Sequence, residues 1–291
     1  MKRRATTRSL AALTLAALGL ASTPAFACGG LVDPNGTIRL ARTSTLAAFH
    51  RGIEHYITSF QYEGGSTEFG SIIPLPGRPT KVDRGGDWTL QRLSREVRPV
   101  FAEDTLAAAA PSAVGTAKVI LETKIDALDI TVLQGGAAEV IRWANQHDFR
   151  LSNDAPKVLN HYARKSPYFL AARFDARRAA ERNQVTGQGT PIHIQIPMKK
   201  PWVPLHILTL GKSNREIVDA DVFVMTDRQP KSYEHGGGAL TLQQSNQASG
   251  SLMNDLRSDK GMQWLPRDMW LSYYVVGGEA NALTGDLSVN V

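Results

Sequence analysis

The first 27 residues differ in character from the rest of the chain and decide which part of it folds. Four basic residues lie within positions 2–8, an apolar run covers 10–21, and an Ala-Phe-Ala triplet ends at Ala27, directly before Cys28. A basic start, a short apolar core and an A-x-A site are together the layout of a secretory signal peptide. We therefore expect cleavage between Ala27 and Cys28, and a mature protein that is periplasmic or extracellular.

The alternative for residues 1–27 is an uncleaved membrane anchor. The apolar run 10–21 has only 12 residues, whereas a helix that crosses a bilayer needs roughly 20. Charged residues, glycine or proline interrupt every later apolar stretch. We expect no transmembrane helix in the mature chain, which would then associate with a membrane only through a lipid on Cys28.

Cys28 is the single cysteine of the chain, so no disulfide can form within it. A cysteine at the first mature position also suggests a lipoprotein, in which the thiol carries a lipid. The usual lipobox has leucine three residues before the cysteine and a small residue two before it. Those positions hold Ala25 and Phe26, whereas the A-x-A cleavage site is matched in full. We prefer soluble export and keep lipidation of Cys28 as the alternative.

Most of the apparent basic charge belongs to the leader. The chain has 33 Lys and Arg against 27 Asp and Glu, a net charge of +6, but residues 1–27 hold four basic and no acidic residues. The mature chain is therefore left with 29 basic and 27 acidic residues, or +2. A charge so near zero gives no reason to expect binding to nucleic acid. The local cluster of Arg173, Arg177, Arg178 and Arg182 is predicted to be a solvated face.

Composition predicts an ordinary globular protein in the remaining 264 of the 291 residues. Hydrophobic residues make up 42% and charged residues 21%, which is typical of folded domains. Residues 102–117 are small and are interrupted by a proline and a glycine, a composition that favours an Ala-rich linker or loop. We therefore expect an N-terminal β-rich lobe over 28–101 and a C-terminal α+β lobe over 118–291.

Hydrophobic periodicity predicts short strands and a few isolated helices. Strands are predicted over 37–42, 55–62, 69–75, 119–123, 128–133, 168–174, 192–196, 205–210, 218–225 and 273–276. Helices are predicted over 88–97 with Asp87 as N-cap, over 137–147, for about ten residues from 154, and over 251–256. Pro74, Pro76 and Pro79 place the strand at 69–75 on a sheet edge. This mixture indicates an α+β fold, mainly antiparallel β-sheet with a few packed helices.

The sequence contains none of the common catalytic motifs. It has no G-x-S-x-G, no S-x-x-K, no H-E-x-x-H and no C-x-x-C, which removes the simplest hydrolase and metal-site predictions. Of the seven histidines, only His193, His206 and His235 are candidate metal ligands, the first two because their predicted strands could be neighbours. Because their spacing matches no known ligand pattern, we favour structural or surface roles for all three and expect no cofactor.

A loop at 83–88 is the candidate binding segment. Its sequence, Asp-Arg-Gly-Gly-Asp-Trp, places Arg84, Asp87 and Trp88 on a glycine-rich stretch, and such loops often carry binding residues. The alternative, which we prefer, is a local structural role: Asp87 caps the following helix and Trp88 packs into the core at the helix start.

Five segments carry a resemblance to a known family. They are Cys28-Gly29-Gly30-Leu31, 55–60, 69–76, Gly86-Asp87-Trp88 and 168–171. With these segments the chain resembles DUF2330, a bacterial family of unknown function, over nearly the whole mature length. The resemblance implies an exported or envelope-associated protein without an assigned activity, so no functional residue can be transferred. Many members have a second cysteine shortly after the first, whereas positions 31–33 here are Leu, Val and Asp.

Two functions from different classes remain. The favoured one is a non-catalytic envelope or secreted protein, either structural or binding a partner that the sequence does not identify. The alternative is an extracytoplasmic hydrolase or metal-dependent enzyme whose site is assembled from distant residues. Fold class alone does not separate the two. A pocket that gathers at least two of His193, His206 and His235 with nearby carboxylates would favour the enzyme, and scattered histidines would favour the binding protein.

Overall fold

The structure is a computed structural model that describes residues 30–32, 39–63, 68–98, 118–147, 149–182 and 190–291. The strands are β1 (Gly30–Val32), β2 (Arg39–His50), β3 (Ile53–Glu63), β4 (Glu68–Leu75), β5 (Lys81–Arg84), β6 (Lys118–Ile125), β7 (Leu128–Gln134), β8 (Tyr168–Asp175), β9 (Ile192–Pro197), β10 (Trp202–Val203), β11 (Ile217–Thr226), β12 (Ser232–Glu234), β13 (Leu240–Gln247), β14 (Trp270–Glu279) and β15 (Leu287–Asn290). The helices are α1 (Thr89–Val97), α2 (Ala137–Gln146), α3 (Ala155–Ala163), α4 (Ala176–Glu181) and α5 (Gly250–Ser258). The predicted α+β class, mainly antiparallel sheet with a few helices, is confirmed.

The larger sheet has seven strands in the order β13-β14-β11-β2-β3-β9-β5. Its pairs are antiparallel except for β11 and β2, which run parallel. The long hairpin of β2 and β3 turns through Arg51 and Gly52, whose φ angles are 50° and 77°. Two consecutive left-handed residues match the twist of the flanking strands, so this tight turn sets the register of the two longest strands.

The second sheet has five antiparallel strands in the order β1-β4-β8-β7-β6, and a third has three in the order β10-β15-β12. The predicted lobes 28–101 and 118–291 share both larger sheets. In the seven-stranded sheet β2, β3 and β5 lie beside β9 and β11, and in the five-stranded sheet β4 lies beside β8. The predicted linker at 102–117 lies outside the described residues.

The two larger sheets and the helices form four layers, and the three clusters of buried side chains lie between them. On β8, Leu170 and Ala172 point into the core between the sheets, whereas Phe169 and Ala171 point outward to α2 and α3. On the far side, α1 and α5 cover the outer face of the seven-stranded sheet. Alternate residues of a strand face opposite sides of a sheet, so each sheet can bury both faces. The order of layers is helix, sheet, sheet, helix.

Two local predictions were wrong. The predicted strand at 205–210 is a 3-10 turn over His206–Thr209, because the Asp286 carboxylate accepts hydrogen bonds from the backbone N–H groups of Leu205 and His206 and bends the chain there. The strand at 69–75 is not a plain edge strand, since β4 lies between β1 and β8. β1 pairs only with residues 70–72, so Pro74 lies where β4 has one neighbour.

The arginine cluster is only partly the solvated face that was predicted. Arg177 and Arg182 are exposed, but the side chains of Arg173 and Arg178 are only 16% and 15% exposed. Both donate to the carboxylate of Asp129 at 2.9 Å. These two arginines tie β7, β8 and α4 together.

In the described ranges, no helix combines the length and apolar character that crossing a membrane requires.

Candidate functional site

A cleft of about 510 Å³ lies at the edge of the seven-stranded sheet, on the face turned away from the five-stranded sheet. Strands β5 and β9 form its floor, and the segment after α5 forms one wall. Its lining residues are Lys81, Asp83, Arg84, Gly85, His193, Gln195, Lys260, Gly261, Gln263 and Trp264. The cleft therefore joins chain segments that lie far apart in the sequence.

Strand alternation explains why polar side chains line this floor. On β9, Ile192, Ile194 and Ile196 are buried in the core between the sheets. The intervening residues, His193 and Gln195, must then face outward. Antiparallel register places Asp83 of β5 opposite His193, and Lys81 opposite Gln195. Two strands with buried alternate residues thus present four polar side chains side by side.

A pair of histidines lies beneath the cleft. His55 of β3 and His193 of β9 face each other, with His55 Nδ1 2.9 Å from His193 Nε2. The indole of Trp264 stacks on His55, with ring centroids 3.5 Å apart and planes 6° apart, and lies 5.3 Å from the His193 ring. Trp264 therefore covers the pair, and His55 and His193 are only 7% and 3% exposed.

Burial keeps both imidazoles neutral at neutral pH. Desolvation, together with the smaller effects of the nearby His193 and His50, lowers the pKa of His55 to about 3. Desolvation also lowers the pKa of His193 to about 4, outweighing the carboxylate of Asp83, which acts in the opposite direction. A neutral imidazole has one N–H donor and one acceptor nitrogen, so a single N–H···N hydrogen bond can join the two rings and uses one nitrogen of each.

The charged residues of the cleft are mostly paired. Lys81 Nζ lies 2.5 Å from Asp83 Oδ2. Arg84 contacts Asp87, and its Nε donates to Asp126 Oδ2 at 2.6 Å. Lys260 is exposed and makes no ion pair within the described residues. The cleft is thus rich in charge while most of that charge is compensated locally.

A distant carboxylate holds the glycine-rich loop that leads into α1. Asp259 accepts hydrogen bonds from the backbone N–H of Asp87 and of Trp88, both at 3.0 Å, and from the Thr89 hydroxyl at 2.7 Å. A Cβ at Gly86 would overlap this carboxylate, so only glycine fits there. The prediction that Asp87 caps α1 was wrong: Trp88 is the N-cap residue, and it makes no side-chain cap.

The three residues of the candidate binding loop occupy different environments. Arg84 lines the cleft. Asp87 is exposed and pairs with Arg84, and Trp88 is half-buried at the start of α1. Of the three, only Arg84 reaches the cleft.

The candidate metal ligands lie in separate surroundings. His193 bonds to His55, His206 Nδ1 lies 2.8 Å from the carbonyl oxygen of Leu283, and the exposed His235 lies 3.0 Å from that of Gly237. Across the described ranges, no group of three or more His, Cys, Asp or Glu side chains could hold a metal ion.

Sequence reasoning missed most of this site. His55, Trp264 and Lys260 were not singled out, although His55 lies two residues before the buried Ile57 and therefore on the same face of β3. That spacing places a histidine on a covered sheet face, which was the available signal. Ala27 and Cys28 lie outside the described residues.

A second hollow, of about 550 Å³, lies between α2 and α3. Its lining residues are Ala137, Ala138, Ile141, Arg142, Asn145, Gln146, Pro156 and Asn160. Arg142 is the one ionisable side chain of this lining, whereas the cleft borders the buried His55–His193 pair, in which burial lowers both pKa values. Shifted pKa values beside a polar cleft are typical of functional sites, so the cleft at β5 and β9 is the candidate site.

Comparison with known proteins gives a family without an assigned activity. A search of curated proteins finds no match. A solved structure, the crystal structure of baculovirus P35, aligns with a TM-score of 0.43 at 8% identity, covering 89% of this chain and 99% of that chain. At that score the likeness carries no argument. The family described as "Uncharacterized protein conserved in bacteria (DUF2330)" matches residues 22–236, as the resemblance had suggested, and the chain belongs to this family.

Proposed function

We propose that this chain is an exported, non-catalytic binding protein whose ligand occupies the cleft at β5 and β9. The observation that carries the proposal is the cleft itself. Its volume of about 510 Å³ falls within the usual range of small-molecule sites, about 300–1,000 Å³. Five of its polar residues, Lys81, Asp83, Arg84, His193 and Gln195, stand on strands β5 and β9 rather than on long loops, so they are already positioned before a ligand arrives.

The chemistry of the lining favours binding over the alternative, an extracytoplasmic hydrolase or metal-dependent enzyme. The lining includes no serine, threonine or cysteine that could act as a nucleophile beside His193. The Nε2 of His193 is already engaged with His55. Its pKa of about 4 also makes it a weak base, since general bases work best with a pKa near the operating pH.

A blocking variant tests the binding proposal. Gln195→Trp places an indole in the cleft, and Asn160→Trp places one in the hollow between α2 and α3 as a matched control. The probes are cellobiose, glycine, glucuronate and inorganic phosphate, each followed by ligand-observed NMR. We expect at least one probe to bind the wild type and the Asn160→Trp protein but not Gln195→Trp. Binding by none of them, or binding that survives the block, contradicts the proposal.

Export is tested separately, by cell fractionation and intact mass. We propose that residues 1–27 direct export and that the mature chain begins with an unmodified Cys28, in the periplasm or the medium. An added diacylglycerol mass on Cys28 would instead support the lipoprotein alternative. A full-length chain that stays in the cytoplasm would contradict export.

A further inference from the structure

We infer that the ligand of the cleft is a small oxyanion, a molecule that carries a carboxylate or a phosphate group, and this inference rests on the binding function proposed above. The lining holds three cationic side chains, Lys81, Arg84 and Lys260, against one carboxylate, Asp83. Burial lowers the pKa of the fifth ionisable residue, His193, to about 4, so its ring is neutral at neutral pH. A cleft lined by an excess of one charge concentrates ligands of the opposite charge.

Lys260 is the cation of the lining that has no carboxylate partner within the described residues; its side chain is exposed. The turn that carries it is held in place by Gln263, whose Oε1 accepts from the backbone N–H of Gly261 at 3.1 Å and whose Nε2 donates to the carbonyl of Asp259 at 2.7 Å. This turn lies close to β5, since a Cβ on Gly261 would come within 3.4 Å of the carbonyl oxygen of Arg84. Two cationic residues from distant parts of the chain are therefore brought to one cleft.

Arg84 is held by carboxylates that do not line the cleft. Its Nη1 contacts Asp87, and its Nε donates to Asp126 Oδ2 at 2.6 Å. Asp126 is shared with a second cation, Arg182, at 3.3 Å. A guanidinium has five N–H donors, and Nη2 of Arg84 makes no hydrogen bond within the described part of the chain. The two carboxylates thus orient the guanidinium before a ligand arrives, which lowers the entropy lost on binding.

The one carboxylate of the lining is already neutralised. Asp83 Oδ2 lies 2.5 Å from Lys81 Nζ on the same strand, so this pair leaves the charges of Arg84 and Lys260 for the ligand. Gln195 lies opposite Lys81 in the register. It is half-buried, and its side-chain amide makes no hydrogen bond among the residues that the structure describes, so its N–H groups can donate to the oxygens of an anion.

The remaining carboxylate near the cleft does not face it. Asp259 is only 1% exposed, and its oxygens accept three hydrogen bonds at the start of α1. A ligand in the cleft therefore meets uncompensated positive charge and open N–H donors. A cation would be repelled by this charge, and a neutral molecule would gain nothing from it. Charge-assisted hydrogen bonds from ammonium and guanidinium groups are the strong contacts of carboxylates and phosphates.

The test measures binding to the mature protein by isothermal titration calorimetry. The anionic probes are glucuronate and inorganic phosphate, and the others are glucose, cellobiose and glycine, with glucose as the uncharged counterpart of glucuronate. Lys260→Gln removes the unpaired cation. Lys199→Gln is the matched control, because Lys199 is exposed, lies outside the lining and forms no ion pair within the described ranges.

We expect at least one anionic probe to bind the wild type and Lys199→Gln equally, and Lys260→Gln about five- to tenfold more weakly, which corresponds to about 1–1.4 kcal/mol. Binding of glucuronate alone would identify a carboxylate ligand and binding of phosphate alone a phosphate ligand, and either supports the inference. If glucose binds as tightly as glucuronate, if only uncharged probes or glycine bind, or if the two lysine variants weaken anion binding equally, the oxyanion inference is overturned while the binding function stands. If no probe binds, the inference and the proposed function both fail.

Discussion

His55 and His193 lie 138 residues apart in the sequence, yet their imidazole nitrogens meet at 2.9 Å on neighbouring strands. Both rings are buried beneath the indole of Trp264. The contact joins the N-terminal β2–β3 hairpin to β9, and Trp264 adds the segment after α5. This pair therefore links the stability of the seven-stranded sheet to the shape of the cleft.

The histidine pair predicts a loss of stability in acid. The unfolded chain binds protons to both imidazoles near pH 6.5, but the folded pKa values are about 3 and about 4. Between pH 6.5 and about 4 the unfolded state therefore holds more protons, and the unfolding free energy falls as the pH falls. Each histidine contributes a slope of up to about 1.4 kcal/mol per pH unit.

Chemical denaturation at pH 7, 6, 5 and 4 measures this slope. We expect His55→Phe to be less stable at pH 7, because His193 loses its partner, but also to lose less stability per pH unit. His235→Gln removes an exposed histidine and serves as the control, with an unchanged slope. A slope in His55→Phe that equals the wild-type slope would contradict the explanation.

From Glu54 we predict the opposite pH dependence, a loss of stability as the pH rises. Its side chain is fully buried between the sheets, and Oε2 accepts from the backbone N–H of Trp202 at 2.8 Å. Burial raises the pKa of Glu54 to about 8, against the lowering effect of that hydrogen bond. The folded state thus keeps a proton that the unfolded state loses near 4.5, so stability falls as pH rises from about 4.5 to about 8.

We expect Glu54→Gln to flatten this decline. Glutamine keeps an acceptor for Trp202 and carries no charge at any pH, so the variant should gain most relative to the wild type at pH 8 and above. The unfolding free energy from urea denaturation at pH 6, 7, 8 and 9 measures the effect. Glu122→Gln, at an exposed position on β6, is the control, and an equal gain there would rule out burial of Glu54 as the cause.

The sequence analysis found those helices and strands whose own hydrophobic pattern specifies them. The β6–β7 hairpin follows from alternation, and α2 follows from the spacing of Val140, Trp143 and Ala144 on its buried face. Contacts between distant segments left no such signal. The carboxylate that holds the start of α1 comes from Asp259, 172 residues after Asp87. The 205–210 run was mistaken for a strand because a short apolar run looks the same in a buried turn.

We predict that removing the buried carboxylate of Asp286 lowers the unfolding free energy strongly. Its side chain is 4% exposed and accepts from the Tyr162 hydroxyl at 2.7 Å, from Lys165 Nζ at 2.9 Å, and from two backbone N–H groups of the 205–206 turn. Lys165 is 51% exposed, so the loss comes mainly from the Tyr162 hydroxyl and the two backbone N–H groups left without an acceptor, about 1–3 kcal/mol each and about 3–5 kcal/mol in total. We expect Asp286→Ala to lower the unfolding free energy by about that amount.

Urea denaturation at pH 7 checks this value against an exposed pair. Lys200 and Glu234 lie 3.3 Å apart at the surface, so Glu234→Ala should leave the unfolding free energy nearly unchanged. Equal losses in the two variants would show that burial does not decide the contribution of these carboxylates.

The last prediction concerns Asp259, which caps the start of α1 from a distant part of the chain. We predict that the loop between the cleft and α1 depends on this cap. It accepts from two backbone N–H groups and one hydroxyl at the start of α1, and it directly precedes Lys260 in the cleft wall. Hydrogen bonds to a charged group contribute about 1.5–3 kcal/mol. We expect Asp259→Ala to lower the unfolding free energy by about 2–3 kcal/mol and Asp259→Asn, which keeps one acceptor oxygen, by less.

Asp255→Asn is the matched control, because Asp255 pairs with Arg92 and its side chain is 49% exposed. If Asp259→Ala costs no more than Asp255→Asn, the cap does not stabilise the loop.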